Sequence, residues 1–446
     1  MKIKKILSIL SVAVCFYSSG FGQQPVVVAS ATTPVKKETK ESELVVVAEE
    51  PEEKPKVTIS GYIDSYYNHA FNNPRSGTLM GNPNANAGYP VGRAFDRVTD
   101  QFALGLVQTK FAYSDKKSDL VIDLTFGPNA ELGNFGNTRF ANNTNYNTSL
   151  YYPSGPNSGY VNQLYGSSAA IKQAYFTYKA TEKLSFTVGQ FGTHIGYEVI
   201  DAPVNYNYSL SNLFNNGPFY HIGAKVNYVV SDKVSLMAGL VNNWDNLFDN
   251  NKQKSVIGQL YLKPRDGFNI YVNYIGGYGD DTYLTTLAGL TSSPYLDKYT
   301  RQLVDLTTGY QITSKFYVGL NAAYGMYNFV ATGTDLDNIK ATYGSNKPTW
   351  GGVAFYTNYA ITDIVGVGVR AETFVDKNCV RYIGTTNNSL TVTTPITLAD
   401  GHLIVKPEFR FDTAKDSKDG FKYYEDKNGN GTSSQQTLGV AFIYKY

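Results

Sequence analysis

Cysteine, tryptophan and net charge are all scarce in this chain of 446 residues, and each shortage excludes something. Of the two cysteines, Cys15 falls in an N-terminal leader, which leaves Cys379 alone, so no intrachain disulfide can hold the mature fold. The 39 basic and 37 acidic residues nearly cancel, and the balance becomes 36 against 37 without Lys2, Lys4 and Lys5 of the leader. A nucleic-acid binder would show a basic excess. Beyond the leader no apolar run reaches the ~18 residues of a membrane-spanning helix, so any membrane passage must be made by strands. The four histidines, His69, His194, His221 and His402, lie in separate segments, and Gly-x-Ser-x-Gly, His-Glu-x-x-His and phosphate-binding glycine motifs are all missing. An enzyme has no starting constellation here, and no cofactor is expected.

The leader, MKIKKILSILSVAVCFYSSGFGQ, has three lysines before an apolar run from Ile6 to Tyr17 and small residues up to Gly22, the pattern of a secretory signal covering residues 1–22. Val14 is too large for the small residue that precedes a lipidated cysteine, which sets a lipoprotein reading aside. Residues 23–56 mix Pro, Ser and Thr with runs of Glu and Lys and read as a disordered periplasmic tether. Folded structure is expected over 57–446.

There the dominant signal is alternation. In VNYVVSDKVSLMAGLV, Val226, Tyr228 and Val230 share one parity with Ala224 and Ile222, while Asn227 shares the other with Lys225, Gly223 and His221. After Ser231-Asp232-Lys233 the alternation resumes, with Val234, Leu236, Ala238 and Leu240 on the apolar parity. Side chains of a strand point alternately to opposite faces, so this is a β-hairpin with one apolar and one largely polar face.

The pattern recurs along the chain. Short polar turns are expected at 115–118, 181–183, 231–233, 264–267, 313–315, 362–363 and 413–420. Between them fall long connections rich in Gly, Asn and Tyr, near 72–100, 128–169, 192–218, 245–252, 278–300, 328–347, 377–399 and 427–434. Seven turns and eight loops imply sixteen strands, the last three at 401–412, 420–426 and 435–446. An even count with loop length sorted by side is the mark of an all-β, transmembrane antiparallel β-barrel with short periplasmic turns and long external loops. A soluble sandwich has no reason to sort its loops in this way. The final strand, TLGVAFIYKY, ends on an aromatic residue, similar to the signal read by the barrel-assembly machinery.

The two faces differ in chemistry. In HLIVKPEFRFDT, Leu403, Val405, Pro407, Phe409 and Phe411 suit lipid, whereas Lys406, Glu408, Arg410 and Asp412 need water or mutual pairing. Arg370 and Glu372 repeat this beside Val369 and Ala371, and Asp64 and Lys225 join the inward, pore-lining set. The run DKNGNG offers Asp426, Asn428, Asn430 and Gly431 as the start of a calcium loop, but the twelfth position is Thr437 rather than Glu, so no metal is expected.

The segments GYIDSYYNHAFNNPRSG, DLTFGPNAEL, GQFGTHIGYEVIDAPVNYNYSLSNLFNNGPFYHIG and GLVNNWDN resemble the β-barrel porin-2 family of Gram-negative outer-membrane proteins, over roughly Val57 to Tyr446. The resemblance implies a bacterial outer-membrane channel for small hydrophilic solutes, in contact with outer-membrane lipid and the barrel-assembly machinery. Homo-oligomerisation is left open. In general porins the third long loop folds inward to narrow the pore; here that loop is 192–218, with His194, Tyr197, Glu198 and Asp201 as the constriction residues. The other reading of the loop is an external one packed on its neighbours. For the whole chain the alternative is a non-conducting surface or scaffolding barrel whose external loops bind a partner.

Overall fold

The computed structural model describes residues 56–74, 93, 95–135, 170–246, 249, 253–279, 299–330, 333–381, 383–416, 420 and 422–446. The expected leader and most of the tether lie outside the described residues. Nineteen strand segments follow in chain order, beginning with β1 (Lys56–Ala70), β2 (Phe102–Ser114), β3 (Ser118–Phe126), β4 (Ile171–Lys179), β5 (Leu184–Gly192) and β6 (Tyr220–Ser231). Next come β7 (Val234–Val241), β8 (Ser255–Arg265), β9 (Phe268–Tyr278), β10 (Tyr299–Gln311), β11 (Phe316–Phe329), β12 (Thr349–Ala360) and β13 (Gly366–Val375). The last are β14 (Thr386–Thr393), β15 (Ile396–Leu398), β16 (Leu403–Ala414), β17 (Tyr424–Glu425), β18 (Gly431–Thr432) and β19 (Ser434–Lys445).

Each barrel strand pairs antiparallel with its neighbours in sequence, and β1 closes the ring by pairing with β19 from Tyr62↔Lys445 to Ala70↔Thr437. β14 and β15 both lie on β16 and form one strand interrupted at Pro395, so sixteen strands go round. A closed ring has no edge at which detergent can begin to unzip it. The folded protein should therefore run faster unheated than boiled in SDS gel electrophoresis; identical mobility in the two lanes would contradict closure.

Four of the short turns share one local cause. Asp115 Oδ1 accepts the N–H groups of Lys117 and Ser118 at 2.7 and 2.6 Å. The Thr181, Thr313 and Thr362 hydroxyls accept from the residues two and three further on at 3.0 to 3.3 Å. A side-chain oxygen at the first turn position thus replaces the ladder bonds that the chain gives up on reversing. In the β8–β9 turn Gly267 takes φ +74°, a region that only glycine enters freely.

Burial confirms the two faces. Leu236 is 46% exposed and Leu438 51% exposed on the outside, whereas Arg370 and Asp123 are both 0% exposed inside. Such inversion, with aliphatics outward and charges enclosed, suits a barrel wrapped by lipid and not by water.

Two of the expected elements are corrected. Residues 420–426 are not a barrel strand: Tyr424–Glu425 pairs only with Gly431–Thr432, as a small ribbon in the long connection between β16 and β19. The missing strand is β14, inside what the sequence presents as the loop 377–399, and the hairpin turn after it is at 399–402 in place of 413–420. Its sequence, TNNSLTVT, has loop-like composition for a physical reason. Ser389 sits laterally between Glu372 and Asp412, Thr391 between Arg370 and Arg410, and Thr393 between Gly368 and Glu408. Small hydroxyls at these positions let the charged rows of β13 and β16 interact across β14, and they leave only Leu390 and Val392 as the apolar signal.

Candidate functional site

The connection from β5 to β6, residues 193–219, turns into the barrel. Largely buried and outside any strand, its peptide groups must find partners, and the inward charges of the wall supply them. Glu408 accepts the N–H of Tyr208 at 2.7 Å and of Ser209 at 3.0 Å, Glu372 that of Asn212 at 2.8 Å, and Asp305 on β10 that of Gly196 at 3.1 Å. Lys406 Nζ donates to the carbonyls of Ala202 and Asn205 at 2.7 and 2.5 Å. Arg410 donates to Leu210 O at 2.8 Å and Arg370 to Ser209 O at 2.5 Å. Ser211 caps the short helix Asn212–Asn216, its Oγ accepting from Phe214 N.

Side chains complete the docking. Arg370 pairs with Glu198 at 2.6 Å, and Lys172 with Asp201 at 2.5 Å. Tyr208 donates to Asp64 at 3.2 Å. Tyr197 stacks on Tyr356 with ring centroids 4.1 Å apart and shares a 2.9 Å hydroxyl bond with Tyr317. The Tyr197 ring fills the space a side chain would need at Gly319, where a Cβ would stand 2.4 Å from its hydroxyl. His194 lies against the wall, its Nε2 facing Tyr274 O at 2.9 Å. Burial, aided by neighbouring His221, pushes its pKa down to about 3, so it is an uncharged imidazole.

Asp64, Arg370, Glu372, Lys406, Glu408, Arg410 and Asp412 thus face inward and gather around the loop with Tyr197, Glu198 and Asp201. Lys225 also faces inward but stands apart on β6, its ammonium 4.4 Å from the Phe191 ring centroid. Three contributors escape a reading by period two. Lys172 sits at a β-bulge, where Asp123 pairs with Gln173 and Leu124 with Ile171; strict alternation would send Lys172 outward, and the extra residue re-aims it to Asp123 and Asp201. Arg93 and Asp96, in the β1–β2 connection, pair with each other, and Arg93 also reaches Asp412 at 3.2 Å. No strand periodicity marks those two. In DKNGNG, Asp426 accepts the N–H groups of Asn428 and Asn430 at 2.8 Å each, so it closes a turn with its carboxylate.

A closed sixteen-strand barrel with an aliphatic exterior and a polar interior defines a channel-type outer-membrane protein. Residues 56–446 match the family model described as "Putative beta-barrel porin-2, OmpL-like", and the chain belongs to that family. Among solved structures, the outer membrane channel DcaP of Acinetobacter baumannii is similar in fold, with a TM-score of 0.50 and 12% identity over 88% of this chain and 97% of that one. An anion-selective porin from Comamonas acidovorans aligns at a TM-score of 0.49 and 10% identity, covering 88% of this chain and all of the other. No curated protein matches in sequence.

Proposed function

We propose that the protein is a passive outer-membrane channel for small hydrophilic solutes in which the 193–219 segment forms the constriction. The observation that carries this is the transfer of the segment's peptide hydrogen bonds to inward charges, above all Glu372, Glu408, Lys406 and Arg410. A loop held in this way keeps a fixed outline, as a size filter requires. Its charges are compensated locally, Glu198 by Arg370 and Asp201 by Lys172, so the parent channel should discriminate weakly between ions. Opposite charges this close cancel well within a Debye length of ~10 Å.

Planar-bilayer recordings test the reading. Deleting Tyr206 to Asn212 should raise single-channel conductance. Replacing Glu198 by Gln and Asp201 by Asn leaves Arg370 and Lys172 undercompensated in a low-dielectric passage, and should move the reversal potential toward anions. If both variants reproduce the parent in conductance and reversal potential, the segment is not the constriction. The non-conducting scaffold is favoured by a different observation: the segment is tied to Asp305 on β10 as well as to Glu408 on β16. Absence of any conductance in the parent, and its appearance in the deletion, would establish a plugged barrel instead.

A further inference from the structure

Strands β4 to β9 contain no Asp or Glu at any position, so that arc of the wall holds no acid of its own. Its inward lysines must find partners elsewhere. Lys172 reaches Asp123 and Asp201, Lys179 reaches Asp119 on β3 at 2.7 Å, and Lys263 is engaged by Asp266 of the adjoining turn at 2.8 Å. Past β9 the first inward acid is Asp305 on β10, and it is already engaged by Asn273, Asn321 and the Gly196 N–H. Lys225 meets no carboxylate. Its ammonium rests 4.4 Å from the Phe191 ring centroid, a contact that holds the side chain in place without cancelling its charge. Gly239, its register partner on β7, gives it room, because a Cβ there would stand 2.9 Å from Lys225 Cβ. No hydrogen bond or ion pair to a described residue uses the three N–H donors of the ammonium.

Depth matters as much as isolation. Toward the long loops the next inward side chains on β6 and β5, His221 and Phe191, are 0% and 1% exposed, whereas Lys225 and Asn227 are part-exposed. The charge therefore stands at the deep end of the space that opens to the short turns. Low-dielectric walls focus the field at such a point, and one uncompensated charge there outweighs pairs that cancel within a Debye length. We infer that Lys225 gives the passage a preference for anions and is the point at which small anionic solutes meet the lumen through a carboxylate or phosphate group. This rests on the channel reading and narrows its solute class. Compensation at Glu198 and Asp201 keeps the selectivity weak, and Lys225 gives it its sign.

Planar-bilayer recordings across a potassium chloride gradient test the preference, and gel mobility before and after heating verifies that each variant is folded. The parent reversal potential should fall on the anion side. Lys225→Met should lower the anion-to-cation permeability ratio several-fold, and Lys225→Arg should stay near the parent. Lys263→Met, which removes a cation already paired in an exposed turn, should change the ratio little. A parent without anion preference, or a Lys225→Met shift no larger than that of Lys263→Met, overturns the inference and leaves the channel standing. Amine reactivity reads the same site without conduction. A neutral acetylating ester should modify Lys225 in the folded full-length protein, and inorganic phosphate or acetate should slow that reaction while leaving Lys233 in its exposed turn unaffected. Stronger protection by phosphate assigns phosphorylated solutes, and equal protection assigns carboxylates with them. If neither anion protects Lys225, or if both protect Lys233 equally, the contact is overturned. A barrel that shows the protection but does not conduct keeps Lys225 as an anion contact and loses the channel.

Discussion

Replacing Arg370 by Met should release the inserted segment while leaving the barrel closed. Arg370 is fully enclosed and makes four bonds: Nη1 to Glu198 Oε1 at 2.6 Å and Ser209 O at 2.5 Å, and Nη2 to Ser209 Oγ at 3.3 Å and Thr391 Oγ1 at 3.2 Å. Without it, Glu198 keeps the Ser211 N–H, and Glu372 keeps Asn212, Ser389 and a longer contact to Arg410 at 3.7 Å. Two carboxylates are then buried with one cation fewer. Breaking a buried pair by removing one partner costs about 3 to 5 kcal/mol. The strand ladders do not involve this side chain, so the loss falls on the segment, whose opening becomes the cheapest response. Limited proteolysis should begin to cut within 193–219, and conductance should rise, with heat-modifiable mobility unchanged. The double variant Arg370→Met with Glu198→Gln should recover part of the protection, because the stranded charge is gone. Unchanged proteolysis in the single variant, or no recovery in the double, would show that the pair does not hold the segment.

Much of this architecture could be read from alternation and turn chemistry, because both act over a few residues. The β6–β7 hairpin is legible since Val226, Tyr228 and Leu236 must all leave the same face, and since Ser231 begins the turn. What escaped is where tertiary demands override the local pattern. β14 carries Ser389, Thr391 and Thr393 because its neighbours are Arg370, Glu372, Glu408 and Arg410, a fact invisible from TNNSLTVT alone. The segment 420–426 alternates well enough, yet it pairs only with Gly431–Thr432 and closes a turn through Asp426. The two errors offset each other, which is why the count of sixteen survives although one strand and one turn move.

The candidate site divides in the same way. Inward parity identifies Lys406, Glu408, Arg410 and Asp412 as lumen residues, but it cannot distinguish ions that line water from ions that bind a folded-in backbone. The role of Lys406, Glu408 and Arg410 as hydrogen-bond partners of 193–219 depends on contacts 199 to 204 residues away in sequence. Lys172 defeats parity altogether, since one bulge residue reverses its direction. Arg93 and Asp96 belong to a connection with no repeat to read.

Arginine scanning of the outer face should give the clearest energetic contrast between lipid and lumen. Val440 stands near the middle of β19, beside Tyr67 on β1 and Pro407 on β16, with Leu438 and Phe442 exposed on the same face. Arg there must place its guanidinium in hydrocarbon, at a cost of about 2 to 4 kcal/mol near the midplane that falls to about 0 to 1 toward the interfaces. Leu236 is on the outside too, but only two residues beyond the start of β7 at the short turn, so its side chain can reach the headgroups and Leu236→Arg should cost less. Asn227 supplies the control at matching depth, because Tyr228 pairs with Leu236 and Asn227 with Met237, on the inward parity. Its partly open surroundings should accept arginine with little loss. Refolding into lipid vesicles, followed by the heat-modifiable band across a urea series, should therefore rank the variants with Val440→Arg lowest, Leu236→Arg intermediate and Asn227→Arg nearest the parent. If Val440→Arg folds as well as Asn227→Arg, the face carrying Leu438, Val440 and Phe442 does not meet lipid, and the barrel has been placed inside out.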